Sequence, residues 1–330
     1  MTFSLVICTY MRPLPLLSLL NSVKEQVLYP DEILIIDGSI NNDTKDIIEQ
    51  NKFKNLKYYK VDKINRGLTK QRNFGNDKVA KNIDIVCFLD DDIVLERDYF
   101  KALLNTYTIH QNAIGVGGYI NNEVTWKKSQ VKTQYDEFEI DGFKRNIGKR
   151  NVIRKKLGLF SNKHPGFMPE FSNGLSVNFL PPSGKIYQVE YIMGGASSFK
   201  KELLNTIKFS TFFEGYGLYE DLDFCLRVSR IGSLYINTNA QLSHFHDKSG
   251  RPNMYNYGKM VIRNGWYVWR VKCPKPKIKD RVKWNTTSLL LTLIRLGNVV
   301  NTNKKREAFS ESLGRVIGWL SLMVNKPKVQ

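Results

Sequence analysis

The residues best equipped for chemistry are Asp90, Asp91 and Asp92, three carboxylates that end the apolar run Val86, Cys87, Phe88 and Leu89. Adjacent acids repel one another, and a turn needing only solubility would more naturally use Gly, Asn or Pro. In an extended segment residues i and i+2 face the same side, so Asp90 and Asp92 can converge on one cation while Asp91 points elsewhere. Oxygen ligands at this spacing suit Mg2+ or Mn2+, which keep coordination positions open for phosphates. Taken alone, the triplet also fits a solvated acidic turn. Further candidates are the acids Glu220, Asp221 and Asp223 and the histidines His244 and His246.

The surrounding pattern says what must position them. Over the first 120 residues, short apolar runs (5–9, 32–37, 56–61, 83–89) alternate with helical patterns (16–26, 44–51, 68–78). Strand and helix taking turns predict an α/β fold with a mostly parallel sheet and helices on both faces. Ligands bind such sheets at the carboxyl ends of the strands. Those ends read Thr9-Tyr10-Met11-Arg12-Pro13, Asp37-Gly38-Ser39 and the Asp triplet, three polar edges of one crevice. The stretch 122–190, mixed in Lys, Arg, Gly, Pro and aromatics, reads as an insertion or lid. Regular structure returns with 191–199, a helix over 218–231 carrying the second acidic group, and a strand over 233–243 that delivers His244 and His246.

Composition narrows the setting. The 330 residues are 42% hydrophobic and 12% aromatic, enough for a globular core. Four scattered cysteines without a CxxC pair favour reduced thiols and a cytoplasmic location, and neither a signal peptide nor a spanning segment is evident. The net charge of +19 is concentrated in residues 251–330, where 17 Lys and Arg face 3 acids, a net of +14. That region is expected to be a helical C-terminal extension of a domain spanning 1–250. It carries apolar stripes at Leu289, Leu290, Leu293, Leu296 and Val300, and at Leu313, Val316, Ile317, Leu320 and Val324.

Seven pieces, in order, resemble the inverting glycosyltransferases of family 2, which have the GT-A fold. They are Val6-Ile7-Cys8-Thr9-Tyr10 with Arg12; Ile35-Ile36-Asp37-Gly38-Ser39; Asn65-Arg66-Gly67-Leu68 through Gln71-Arg72-Asn73; Phe88-Leu89-Asp90-Asp91-Asp92; Gly194-Gly195-Ala196; Tyr219-Glu220-Asp221-Leu222-Asp223 through Arg227; and His244. The resemblance covers most of residues 3–250.

It implies a nucleotide-diphosphate sugar donor, UDP-sugar ahead of dTDP-sugar, and a saccharide or lipid-linked saccharide acceptor, in surface polysaccharide or glycoconjugate synthesis. Asp90 and Asp92 alone would repel a diphosphate, so a divalent ion must bridge them. His244, preferred over His246, completes the metal set, and its nitrogen tilts the choice toward Mn2+ over Mg2+. Asp37 is then the acid that reads the base, or only the start of an Asp-Gly turn. Thr9, Tyr10, Arg12 and Asp91 belong to the donor site. Gly67 opens a helix whose Arg72 serves phosphate or ribose, or is a plain surface arginine. Gly194 and Gly195 pass under the sugar. Asp221 is the expected base and Glu220 its helper, with Asp223 paired to Arg227 at i+4.

Two rivals remain at this stage. A catalytically silent sugar-binding or scaffold protein would not need Asp90, Asp92, Asp221 and His244 together, and a nucleotidyltransferase would be expected to show a Gly-rich loop after its first strand, where none exists. For the basic tail, an anionic membrane surface at the inner face of the cell membrane is favoured over nucleic acid, since no nucleic-acid motif is present. Packing of the stripes internally or on a second copy, giving a homo-oligomer, is the alternative.

Overall fold

The computed structural model describes residues 1–130, 132–246 and 252–329, so the expected division at 250/251 lies outside the described residues. The chain forms two compact units, Met1–Thr125 with Val177–Gly250, and Trp126–Ser176 with Arg251–Gln330. Most of the expected insertion thus groups with the basic C-terminal region, and its last part rejoins the first unit.

In chain order the elements are β1 (Phe3–Thr9), α1 (Pro13–Lys24), β2 (Glu32–Asp37), α2 (Asp43–Asn51), β3 (Leu56–Lys60), α3 (Leu68–Lys78), β4 (Ile85–Asp90), β5 (Ile93–Leu95), α4 (Tyr99–Ile109) and β6 (Ala113–Ile120). There follow β7 (Lys127–Lys128), β8 (Glu137–Ile140), β9 (Phe143–Asn146), α5 (Lys149–Lys156), β10 (Ile186–Val189), β11 (Ala196–Lys200), α6 (Lys201–Thr206), α7 (Glu220–Val228), β12 (Ser233–His244), α8 (Met254–Lys272), α9 (Ile278–Asn301) and α10 (Lys305–Val324).

The first unit is built on a nine-stranded sheet of order β10-β12-β6-β11-β4-β1-β2-β3, with β5 paired to β12. β1 pairs in parallel with β2 and β4, β2 with β3, and β6 with β12, while β11 runs antiparallel between β4 and β6. The sheet is mostly parallel with helices around it, as the alternating pattern predicts. Both faces are covered, so successive strand residues enter opposite cores. Leu5, Ile7, Ile33 and Ile35 join one, and Val6, Leu34, Ile36 and Phe88 the other. Each such side chain contributes about 1.5–3 kcal/mol on full burial.

Register brings the polar strand ends together. Thr9 lies opposite Asp37 and Cys8 opposite Asp90. Gly75 on α3 lets that helix close on the sheet, because a Cβ there would stand 2.6 Å from Val6 Cγ1.

The second unit holds a small antiparallel sheet, β7-β9-β8, together with α5 and the three C-terminal helices. Trp269 and Trp284 stack at 5.1 Å in its core, and the Trp269 indole donates to Glu170 O at 2.8 Å.

Candidate active site at the carboxyl ends of the parallel strands

The Asp triplet divides at the end of β4: Asp90 is its last residue, and Asp91 and Asp92 lie in the turn before β5. Asp91 turns inward, where its Oδ2 accepts from the Thr9 hydroxyl at 2.6 Å and its Oδ1 from Arg12 Nη1 at 3.0 Å. Burial pushes the Asp91 carboxyl up to about 6, with Arg12 and Thr9 opposing. Thr9 and Arg12, expected at the donor, therefore engage the middle acid of the triplet. Arg12 Nη1 also lies 3.4 Å from Asp92 Oδ2.

Asp90 and Asp92 offer oxygens that lie with a His244 ring nitrogen inside a 4.8 Å cluster. His244 reaches this point because β12 ends there; its Nε2 stands 3.1 Å from Asp92 Oδ1. Burial pulls the imidazole down, but Asp92 and Glu123 outweigh it and hold His244 at about 10, so a cation bound there would displace the ring proton. Two carboxylates and one imidazole, drawn from two strand ends, are a donor set that fits Mg2+ or Mn2+. Gly195 belongs to the fit, since a Cβ there would overlap Asp90 Oδ2.

Glu123 was not foreseen. It follows β6 in sequence and faces both histidines, 3.4 Å from His244 Nδ1 and 2.9 Å from His246 Nε2. Only the parallel pairing of β6 with β12 brings it there, so no local signal marks it. His246 joins Glu123 and His244 in a second group and lies outside the Asp90–Asp92 cluster.

Asp37 is fully buried at the end of β2. Its Oδ2 accepts from the Tyr58 hydroxyl at 2.7 Å and its Oδ1 from the Ser39 amide at 2.8 Å. Tyr58, on β3, is a second residue that sequence reasoning missed. Exposed Tyr10 lies under the Arg66 guanidinium, 5.6 Å from the ring centre. Gly67 adopts φ 115°, which favours glycine, and its amide donates to Gln71 Oε1. The same Gln71 donates from Nε2 to Thr9 O and Ile36 O, tying α3 to the ends of two strands.

Arg72 is no surface arginine: it is 2% exposed. Its Nη1 donates to Glu220 Oε1 at 2.5 Å, its Nη2 lies 3.5 Å from Asp90 Oδ1, and the Phe209 ring centre is 5.4 Å away. Burial pushes Glu220 up to about 8 against the pull of Arg72, and Glu220 Oε2 has no partner among the described residues.

Asp221 opens α7 beside it and is partly exposed. Its Oδ2 accepts from the Gly194 amide at 3.1 Å and its Oδ1 from the Leu222 amide at 2.7 Å. Burial raises its pKa and these two amides oppose the rise. A carboxylate fixed by backbone donors, with lone pairs remaining, can accept a proton from a hydroxyl placed against it. Asp223 lies on the buried face instead, bonded to Arg227 Nε and Nη2 at 3.1 and 2.7 Å, the i+4 pair expected from the sequence.

Gly194 and Gly195 have a reason within the protein. A Cβ at Gly194 would come within 2.7 Å of Glu220 Oε1 and 2.8 Å of Arg72 Nη1. The glycines thus make room for the Arg72–Glu220 pair and for Asp90.

The sequence model of Glycosyl transferase family 2 matches residues 4–192. No curated protein matches the chain significantly. Among solved structures, it is similar to the crystal structure of GalNAc-T7 with UDP, GalNAc and Mn2+, at a TM-score of 0.51 and 15% identity. That likeness covers 79% of this chain and 47% of the other, so the chain spans about half the length of this neighbour, and it shows the GT-A type of fold.

Proposed function

Because the chain belongs to glycosyl transferase family 2, we propose that it moves a sugar from a nucleoside-diphosphate sugar, with UDP-sugar favoured, to a hydroxyl of a saccharide or lipid-linked saccharide acceptor, with inversion. The observation that carries this reading is the meeting, at one edge of the sheet, of an Asp90–Asp92–His244 donor set with an amide-held carboxylate, Asp221.

Asp90, Asp92 and His244 would hold Mn2+ or Mg2+, which supplies neutralisation of the diphosphate and Lewis-acid assistance to its departure. Arg72, already beside Asp90, adds positive charge near the leaving group. Asp37 offers its remaining lone pairs to a base N-H, and exposed Tyr10 an aromatic face. Asp221 takes the acceptor proton as the hydroxyl attacks the anomeric carbon opposite the leaving phosphate. Glu220 holds Arg72 in place beside Asp90.

The test is a panel of UDP-, dTDP- and GDP-sugars scored for Mn2+- and Mg2+-dependent thermal stabilisation, followed by transfer assays with the donor that stabilises. A shift with one donor class that disappears under EDTA is the expected result. Stabilisation by nucleoside triphosphates alone, with sugar-1-phosphate as co-substrate, would instead indicate a nucleotidyltransferase.

A further inference from the structure

Two of the C-terminal helices, α9 and α10, are patterned inside out. On α10, every exposed side chain between Ala308 and Val324 is apolar, Leu313, Val316, Ile317, Leu320 and Met323 among them. Its buried positions are Ala308, Glu311, Ser312, Gly314, Gly318 and Leu322. α9 repeats the inversion, exposing Val282, Leu289, Leu293, Leu296 and Val300 while burying Asp280, Thr287, Ser288 and Thr292 around Trp284. A helix facing water does the reverse.

Packing explains which face turned inward. A Cβ at Gly258 on α8 would strike Glu311 O of α10, and one at Gly314 on α10 would strike Tyr255 O of α8. Helix backbones this close admit only small residues between them, so the large apolar residues are left outside. The buried Glu311 is satisfied by Arg295 and Arg315, each with a contact of 2.7 Å. The outward apolar face of α10 is thus a consequence of a well-made interior, and its large side chains are exposed among the described residues.

We propose that the outward face of α9 and α10 seats on an anionic lipid bilayer, lying in the interface plane. Neither helix is long and apolar enough to cross a membrane. Charge selects the partner: residues 251–330 carry 17 Lys and Arg against 3 acids. Lys277, Lys279, Arg281 and Lys283 flank the start of α9, and Lys304, Lys305 and Arg306 the start of α10. Cations at helix ends with apolar side chains between them are the pattern of a helix that lies among anionic headgroups. A second copy would bring two regions of +14 onto each other. The face is also broader than a coiled-coil seam, since Val316 with Ile317 and Met323 with Val324 are exposed as adjacent pairs.

This surface does not rest on the sugar-transfer reading, and its test involves no sugar. The full chain is sedimented with vesicles of phosphatidylcholine alone and with phosphatidylglycerol added, at low and high salt. Binding to the anionic vesicles should exceed binding to the neutral ones by at least about tenfold and weaken with salt. Leu313→Glu with Ile317→Glu should reduce it at least about tenfold with an unchanged melting temperature, because both positions are exposed. Lys304→Glu with Lys305→Glu, which leaves the apolar face intact, should reduce it as well. Brominated acyl chains should quench a fluorescence component that Trp319→Phe removes. Failure to bind anionic vesicles, equal binding by both double variants and the parent, or a stable dimer split by the Leu313/Ile317 variant would each overturn the proposal.

Discussion

Arg72 and Glu220 form a buried ion pair at 2.5 Å, on helices whose pairing residues are separated by 148 positions in sequence. Arg72 bridges Glu220 of α7 and Asp90 of the triplet. Removing it leaves Glu220 buried and unpaired. Arg72→Ala should cost up to about 3–5 kcal/mol of stability in urea unfolding above pH 8, where Glu220 is ionised, and less at neutral pH, where Glu220 holds its proton. Adding Glu220→Gln should return part of that loss, and strictly additive effects would show that the two do not act as a pair.

The same pair gives a pH signature. Glu220 stands near 8 in the fold, above the ordinary carboxylate value of 4.5. Between those values the folded protein holds a proton that the unfolded chain has released, so the stability linked to this group is full below 4.5 and is lost as pH rises through 8. Glu220→Gln removes that titration. The stability of the parent relative to Glu220→Gln should therefore fall as pH is raised across this window, and a difference that stays flat would contradict the elevated value.

Asp221→Asn keeps the side chain's shape and can still meet the Leu222 amide through its carbonyl oxygen. Donor affinity by calorimetry should change little, while the transfer rate constant falls by roughly 10²–10⁴-fold, the usual contribution of a positioned general base. Transfer at near the parental rate would move the base assignment away from Asp221.

Gly195→Ala should disable ion binding without a substitution at any ligand. The new methyl occupies the space of Asp90 Oδ2, so Asp90 must rotate away from Asp92 and His244. Free-Mn2+ measurements by electron paramagnetic resonance should show affinity reduced by more than about tenfold, comparable to Asp92→Ala. Retained affinity would mean that Asp90 is not a ligand.

Much of this arrangement was legible in the chain. The run Glu32–Asp37 reads directly as a buried strand, and the helix over 68–78 was bounded by Gly67 at one end as observed. Asp91 and Asp92 lie in the turn after β4, so strand alternation does not account for how the triplet divides. What escaped was set by distance along the chain. Arg72 looked equally suited to a surface, because its partner Glu220 comes from a remote helix. Glu123 and Tyr58 meet the site only through strand pairing, which periodicity does not encode. The stripe on α10 has the spacing of core residues, yet close approach to α8 at Gly258 and Gly314 turned it outward.

Asp91 gives the crevice a mechanical property. It ties the end of β1 to the end of β4 through Thr9 and Arg12, and Arg12 reaches on to Asp92. One guanidinium nitrogen of Arg12 thus spans Asp91 and Asp92, so a displacement of that single side chain would be felt at both acids and at the junction of the two strands.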